Sequence, residues 1–242
     1  MTDGEVRETP AGRGRLVVQS RLRAAVARQM AESKRSVPHF YVSADIVMDP
    51  LLDALRRLAQ GQPGGLRVSA TAGMIRAVSG TLREHAAFNS VATDEGFVLV
   101  DSVNVGVAIA LENGLVAPAL LDCDRLDLLG VAAALDDLVA RTKIGRLRTA
   151  EMSGATFTLS NLGMFEVSSF AAIIPPPQVA ILATGRAVRR PVIEDEAVGV
   201  RSVMTATLSA DHRAVDGAQA ARFLGTFRER LAGVVDEALA LF

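Results

Sequence analysis

Residues 209–217, SADHRAVDG, join a predicted strand to a predicted helix through a short charged turn. The run VRSVMTATLSAD, which ends inside this stretch, mixes apolar and polar residues as a half-buried strand does. Asp216 is a residue type that caps helix N-termini, and the apolar spacing after it predicts a helix with four inward residues: Ala220, Phe223, Leu224 and Phe227. Reactive groups are often carried where a rigid strand meets a loop, so His212, between Asp211 and Arg213, is a candidate general base. A polar turn with a helix cap is the alternative interpretation.

Helices and strands alternate along the rest of the chain without a strict strand–helix–strand rhythm. A helix is predicted after a Ser20 cap through RLRAAVARQMAESK, where Leu22, Val26 and Met30 recur at a spacing of four. Further helices are predicted after an Asp49 cap with Pro50 in the first helical position, near residues 69–86, and over about 126–142. Strands are predicted at HFYVSADIVM, GATFTLSNLG and QVAILATGRAV, with turns at Asp94-Glu95-Gly96 and, as a hairpin, at Asn113-Gly114. These features predict an α/β fold in which a mixed sheet is layered with helices.

The start of the chain differs from the rest in composition. Gly4, Pro10, Gly12 and Gly14 fall within the first fifteen residues, which are mostly polar. Glycine and proline clusters interrupt regular structure. The sequence therefore predicts a flexible N-terminal arm at residues 1–15 and a single domain at residues 16–242.

Composition limits the classes of partner. Lysine and arginine total 26 against 27 acidic residues, without a basic block, so nucleic acid is not an expected partner. No uninterrupted apolar run reaches the roughly 20 residues that span a bilayer, so no membrane association and a cytoplasmic location are expected. The single cysteine, Cys123, excludes an internal disulfide, and its acidic neighbours are expected to raise the thiol pKa. Since half of the residues are hydrophobic, the apolar excess is expected in a core and in subunit contacts.

The other two histidines lie in less suggestive positions. His85 falls within a predicted helix and is expected to be a surface or satisfied histidine, whereas His39 follows Pro38 at a strand start and is interpreted as structural, with a place beside a substrate channel left open. No second histidine or cysteine stands at zinc-ligand spacing, so no metal is expected. The sequence also lacks the GxSxG pattern of serine hydrolases. A histidine base that acts on an external nucleophile remains.

A second candidate element is TFTLSNLGMF, where Ser160 and Asn161 stand at the end of a predicted strand, just before a glycine turn. One interpretation is a hydroxyl donor aimed at a developing oxyanion. The other is ordinary turn chemistry, because asparagine and glycine favour turns in any protein. Spacing leaves both interpretations open.

Five segments resemble the catalytic cores of dihydrolipoamide acyltransferases of 2-oxo acid dehydrogenase complexes. They are SRLRAAVARQMAESKRSVPHFYVSADI, VNVGVAIALENGLVAPAL, TFTLSNLGMF, PPPQVAILATGRAVRRPV and DHRAVDGAQAARFL, in the order of that family from about residue 16 to the end. The motif His-x-x-x-Asp-Gly, here His212 to Gly217, is shared with chloramphenicol acetyltransferase. The resemblance implies the two-layer chloramphenicol acetyltransferase-like fold, a homotrimer with active sites between subunits, and an acyltransferase that uses coenzyme A or acetyl-CoA.

The resemblance also implies a role for each matched residue. His212 would deprotonate the acceptor, and Ser160 of the neighbouring subunit would donate a hydrogen bond to the tetrahedral oxyanion. Asp216 would hold the active-site loop by pairing with an arginine of the first helix, for which Arg21 and Arg23 are the candidates. Asn161 and Gly163 would shape the turn around Ser160.

Departures from the family pattern concern the acceptor. No lipoyl domain, lipoyl attachment site or Ala/Pro-rich linker precedes the matched region, which favours a free-standing enzyme. Glu166 and Pro175 replace an expected glycine and asparagine near the serine turn. The leading prediction is therefore acetylation of a small natural-product alcohol, such as the hydroxymethyl group of a tetronate in antibiotic biosynthesis. The alternatives are acyl transfer between dihydrolipoamide and coenzyme A, and an inactive assembly scaffold. The apolar C-terminal ALALF leaves assembly beyond the trimer open.

Overall fold

The computed structural model describes residues 6–61, 66–111, 114–194 and 196–241. The helices of these residues are α1 (Arg21–Ser36), α2 (Asp49–Gly61), α3 (Ala70–Glu84), α4 (Leu128–Lys143), α5 (Thr149–Ser153) and α6 (Gly217–Leu239). The strands are β1 (Val6–Thr9), β2 (Gly12–Arg15), β3 (His39–Val47), β4 (Ser90–Thr93), β5 (Gly96–Leu99), β6 (Val105–Val107), β7 (Ile109–Leu111), β8 (Gly114–Val116), β9 (Ala119–Leu120), β10 (Phe157–Asn161), β11 (Ala180–Thr184), β12 (Val188–Glu194) and β13 (Ala197–Asp211).

The central sheet is mixed and has seven strands. Its order is β12-β13-β11-β10-β6-β9, and β3 also pairs with β13. Strand β10 runs parallel to both of its neighbours, whereas the other pairings are antiparallel. Because β13 is long, its first half pairs with β12 and its second half pairs with both β3 and β11. The predicted α/β class with a mixed sheet is confirmed.

The two faces of the sheet differ in chemistry because side chains alternate along each strand. On β13, Met204, Ala206, Leu208 and Ala210 are buried in the hydrophobic core that also contains residues of α2, α3, α4 and α6. The alternate residues of β13 are polar and lie on the opposite face, where Thr207 Oγ1 is 2.9 Å from Ser43 Oγ of β3. One face therefore forms the core, and the other presents hydroxyl groups.

Helix α6 was the most accurately predicted element. Asp216 caps it, and the predicted inward residues are all buried: Ala220, Phe223, Leu224 and Phe227. The ring of Phe223 lies 4.7 Å from that of Phe88 and 5.7 Å from that of Phe157, measured between centroids. These contacts join the helix layer to the sheet.

The other helices also lie near their predicted positions. Ser20 caps α1 by accepting a hydrogen bond from the Arg23 N–H at 3.2 Å, as predicted. The prediction that Asp49 caps α2 is wrong: the helix already includes Asp49, whose Oδ2 instead accepts a 2.7 Å hydrogen bond from the Ser202 N–H of β13.

The hairpins are only partly as predicted. Strands β4 and β5 flank the turn at 94–95, and β7 pairs with β8 around the Asn113-Gly114 signal, although Asn113 lies outside the described residues. Strand β12 was missed because Pro191 cannot donate a backbone hydrogen bond. Its place at the edge of the sheet makes that proline tolerable.

Part of the expected arm has regular structure. Strands β1 and β2 form an antiparallel hairpin within residues 6–15, where the sequence predicted a flexible arm. Described side chains from Glu8 to Arg15 are exposed. The division at residue 16 stays a prediction. Among the helices that the structure describes, none is long and apolar enough to cross a bilayer.

Cys123 is fully buried, and its Sγ donates to the Leu120 carbonyl oxygen at 2.9 Å. Burial raises the pKa of the Cys123 thiol to about 12, and the charge of Asp124 adds to the effect. The sequence predicted the direction from the acidic neighbours alone, whereas burial is the larger cause.

Candidate functional site

His212 lies immediately after β13, at the end of the longest strand of the sheet. Its backbone N–H donates to the Pro38 carbonyl oxygen at 3.1 Å, and its ring packs 4.6 Å from the ring of Phe40. Both contacts come from the start of β3, so the backbone and the ring face of His212 are held while its side chain stays exposed. An exposed, positioned imidazole of this kind can accept a proton from a group brought from outside the subunit.

An ion pair between the buried Asp211 and the half-exposed Arg213 fixes the turn on either side of His212. Asp211 is only 1% exposed, and its carboxylate accepts from Arg213 Nε at 3.0 Å and from Nη2 at 2.7 Å. The Arg213 backbone N–H also donates to Asp211 Oδ1 at 3.0 Å. These hydrogen bonds raise the pKa of the Arg213 guanidinium. The pair closes the turn around His212, a role that the sequence analysis did not assign to either residue.

Asp216 has a local hydrogen-bond partner. Its Oδ1 accepts from the Gln219 N–H at 2.8 Å, while the Asp216 N–H donates to Gln219 Oε1 at 2.9 Å, which forms a capping box. The pairing of Asp216 with Arg21 or Arg23 stays a prediction. Gly217 follows as the first residue of α6, where an added Cβ would meet nothing within 4 Å.

Ser160 lies in the middle of the sheet, on the hydroxyl-bearing face. It pairs with Ala183, which pairs with Thr207 of β13. The next residue, Asn161, points to the other side and accepts from the Gly163 N–H at 2.8 Å. A Cβ on Gly163 would lie 2.9 Å from Asn161 Oδ1, so glycine allows this close turn. The structure thus places Asn161 at the end of β10 and Gly163 in the turn that follows it.

Ser160 opens into an apolar cavity of about 470 Å³. Thr158 lies beside it on the same strand, and α1 contributes Val26 and Met30. Further walls come from Leu115–Pro118, from Leu147 and Met152, and from the loop that precedes β11. The spacing of Val26 and Met30 predicted a helix, and both residues lie in α1. Their side chains line this cavity and are not part of the main core.

The loop that precedes β11 is fixed by three hydrogen bonds. Ser33 Oγ donates to the Ile174 carbonyl oxygen at 2.6 Å, and Gln29 Nε2 donates to the Pro176 carbonyl oxygen at 3.0 Å. The Ile174 N–H donates to His39 Nε2 at 3.1 Å. His39, which the sequence left open as a channel residue, therefore binds a wall of the Ser160 cavity.

Ser160 and His212 are not brought together within one subunit. In the register of the sheet, Ser160 of β10 lies opposite Ala183 of β11, which lies opposite Thr207 of β13. His212 follows Thr207 by five residues along the chain. At about 3.3 Å per residue, this separates the two residues by about 17 Å along the strands, besides the two-strand offset. A proton cannot be relayed directly over that distance, so a site that uses both groups needs a second subunit.

The third histidine, His85, has a hydrogen-bond partner in the helical layer. His85 Nε2 lies 2.9 Å from Thr226 Oγ1, and its ring packs near Phe88 and Phe223, as expected of a satisfied histidine. In the described ranges, no group of three histidine, cysteine, aspartate or glutamate side chains could hold a metal ion.

The Asp211–Arg213 pair leads to a stability prediction. We expect Arg213→Gln to lower the free energy of unfolding by about 1–3 kcal/mol, because it removes charged hydrogen-bond donors from the buried Asp211 carboxylate. Arg186→Gln is the matched control: Arg186 pairs at 3.5 Å with Glu166, which is 94% exposed, so the expected change is about 0–1 kcal/mol. Chemical denaturation at fixed protein concentration measures both. Equal effects of the two substitutions would contradict the structural role of the Asp211–Arg213 pair.

Comparison with known families gives a match over almost the whole chain. Residues 13–239 match the 2-oxoacid dehydrogenases acyltransferase (catalytic domain) family. The dihydrolipoyllysine-residue acetyltransferase component of the pyruvate dehydrogenase complex of Rickettsia bellii is 34% identical over 216 residues, which are 88% of this chain and 52% of that protein. The chain thus spans about half the length of the curated relatives that it matches.

Solved structures give the same result. The dihydrolipoamide acetyltransferase of Azotobacter vinelandii, studied for the roles of a serine, a histidine and an asparagine in its mechanism, has a TM-score of 0.88 at 28% identity, covering 93% of this chain and 94% of that one. The cubic core of a pyruvate dehydrogenase multienzyme complex has a TM-score of 0.87 with the same identity and coverage. A chloramphenicol acetyltransferase (TM-score 0.56, 14% identity, 86% and 94% coverage) shares the fold.

Proposed function

Because the chain belongs to the catalytic acyltransferase domains of 2-oxoacid dehydrogenases, we propose that this acyltransferase moves an acetyl group between coenzyme A and a thiol of a dihydrolipoyl group. One observation carries the proposal. The serine, histidine and asparagine studied in the A. vinelandii protein have the same separations along the chain as Ser160, His212 and Asp216: 52 positions from 160 to 212 and four from 212 to 216. Asp216 stands in place of the asparagine.

This proposal replaces the leading interpretation of the sequence. Acetylation of a small natural-product alcohol rested on the absence of a lipoyl domain, whereas the curated relatives described above are dihydrolipoyllysine-residue acetyltransferases. Those relatives are about twice as long as this chain, so the absence of a lipoyl domain from the given sequence does not argue for an alcohol. Glu166 gives little support to an alcohol acceptor, because it is exposed, pairs with Arg186 and does not line the cavity. Pro175, in contrast, lines the cavity.

The chemistry follows from the two side chains. The His212 imidazole takes the proton of the attacking thiol, and the thiolate sulfur forms a bond to the carbonyl carbon of the acetyl thioester. The Ser160 hydroxyl donates to the resulting oxyanion. When the tetrahedral intermediate collapses, the other carbon–sulfur bond breaks, and the imidazolium returns its proton to the departing thiolate. The same steps serve either direction of transfer.

The sheet geometry supports a site shared by two subunits. His212 is exposed at the end of β13, about 17 Å along the strands from the Ser160 of its own chain. A cyclic trimer would place His212 of each subunit at the Ser160 cavity of a neighbour. The apolar lining of that cavity suits the uncharged arms that carry both thiols, and it would exclude water from the thioester.

The experiment that tests the proposal compares two acceptors. We expect the purified protein to transfer acetyl from acetyl-CoA to dihydrolipoamide at least about 100-fold faster than to a tetronate with a free hydroxymethyl group. Mass spectrometry of both acceptors and thiol release measure the transfer, with His212→Ala as the control for uncatalysed exchange. Acetylation of the alcohol alone would refute the proposal and restore the earlier interpretation.

A further inference from the structure

Both ring nitrogens of His39 are engaged, which fixes its protonation state. Nδ1 lies 2.8 Å from the Val37 carbonyl oxygen, which can only accept, so Nδ1 carries a proton. Nε2 lies 3.1 Å from the Ile174 backbone N–H, which can only donate, so Nε2 carries none. His39 is therefore neutral in this arrangement, and each nitrogen has a different partner.

The hydrogen bond to Ile174 restrains a wall of the Ser160 cavity. Ile174 is fully buried, and its neighbours Ile173 and Pro175 line the cavity together with Ala172. The Ile174 N–H is held by His39, whereas the Ile174 carbonyl oxygen is held by Ser33 of α1. Without an acceptor at position 39, this buried N–H would lose its partner, at a cost that displaces the loop.

The same strand start also holds the candidate base. Pro38 accepts the His212 N–H at 3.1 Å, and Phe40 packs against the His212 ring. His39 lies between these two residues and pairs with Asp211 in the sheet, but its side chain points to the cavity face. Residues 38–40 thus hold the base on one side and the cavity wall on the other.

We propose that His39 is a positioning residue for the acyl transfer: as a neutral imidazole, it fixes the wall of the cavity in which the thioester of acetyl-CoA is bound. This inference rests on the proposed function. His39 acts through Ile174 and the loop residues 172–175, and it reaches neither the thioester nor the proton that His212 takes.

The charged and titratable groups around His39 are few. Asp211 of β13 faces the same side of the sheet, but Arg213 binds its carboxylate. Tyr41 of β3 lies 6.2 Å away between ring centroids, and α1 contributes Lys34, which is hydrogen bonded to Tyr41. The two hydrogen bonds to backbone groups of Val37 and Ile174 are therefore the contacts that hold the His39 ring.

The test compares three variants in the intact protein. We expect His39→Leu, which lacks an acceptor, to raise the KM for acetyl-CoA by about 5- to 100-fold, the range that corresponds to an unpaired buried N–H, with kcat changed by less than about threefold. His39→Gln retains an acceptor oxygen and should restore most of the affinity. His85→Gln is the matched control, since His85 lies between α3 and α6, and its KM should equal that of the wild type.

The split between KM and kcat, together with the rescue by His39→Gln, gives a readout that a merely structural role would not move. Calorimetric binding of coenzyme A gives the same comparison without any acceptor. A His39→Gln protein with the same KM as His39→Leu, or a folded His39→Leu protein with wild-type KM, would overturn the inference. A wild type that binds coenzyme A but fails to acetylate dihydrolipoamide would instead count against the proposed function.

Discussion

His212→Ala is expected to lower kcat for acetyl transfer by about 10²- to 10⁴-fold, the contribution of a positioned base. The substitution removes the proton acceptor but little of the surrounding structure, because the Asp211–Arg213 pair and the Pro38 hydrogen bond involve other atoms. The KM for acetyl-CoA should therefore stay within about threefold of the wild-type value, as for a group that acts only in the transition state. Steady-state kinetics with dihydrolipoamide measure both constants.

His85→Ala provides the matched control for that variant. His85 is held by Thr226 on the helical layer, so its loss should affect stability and leave kcat unchanged. Near-normal turnover by a folded, soluble His212→Ala protein would eliminate His212 as the base.

Ser160→Ala is expected to lower kcat by about 10²- to 10³-fold, the effect of losing one donor to an oxyanion. Ser160 lines the cavity, and alanine fits its place in β10 without strain, so the fold should be retained. The loss should not exceed that of His212→Ala, because one oxyanion donor contributes about 10²- to 10³-fold and a positioned base about 10²- to 10⁴-fold. Stopped assays of acetyl-dihydrolipoamide measure the difference.

Ser153→Ala is the control for this second variant, since Ser153 is exposed at the end of α5 and donates only to the Thr149 carbonyl oxygen. A Ser160→Ala protein that changes KM alone would point to a packing role for the hydroxyl in substrate binding and would remove it from the oxyanion.

The elements that sequence could predict are those that local periodicity determines. The spacing of Phe223 and Phe227 places both on one face of α6 in any packing, and Asp216 caps that helix through its own neighbours. Strand β12 was missed because Pro191 is unfavourable in a strand unless the strand lies at an edge, and edges are a property of the assembled sheet. The hairpin within residues 6–15 was missed because glycine-rich segments carry no periodic signal.

The sequence identified the candidate site residues but not their positions relative to one another. His212 and Ser160 could be named from the sequence, but their separation depends on strand register, which no local pattern determines. The cap that Asp216 forms could be predicted because a carboxylate at a helix N-terminus has backbone N–H donors next to it in the sequence. The cavity was not predictable, since the stripe of Val26 and Met30 looks the same whether it faces a core or a substrate.

The distance between Ser160 and His212 on one sheet has a genetic consequence. If each site takes its histidine from one subunit and its serine from the next, a trimer that mixes Ser160→Ala with His212→Ala subunits contains one site in which both residues are intact. Random assembly of equal amounts would then restore about a quarter of the sites of the wild type. Two alleles that are each inactive could therefore complement one another in the same cell, whereas a chain that carried both changes could not be rescued by either.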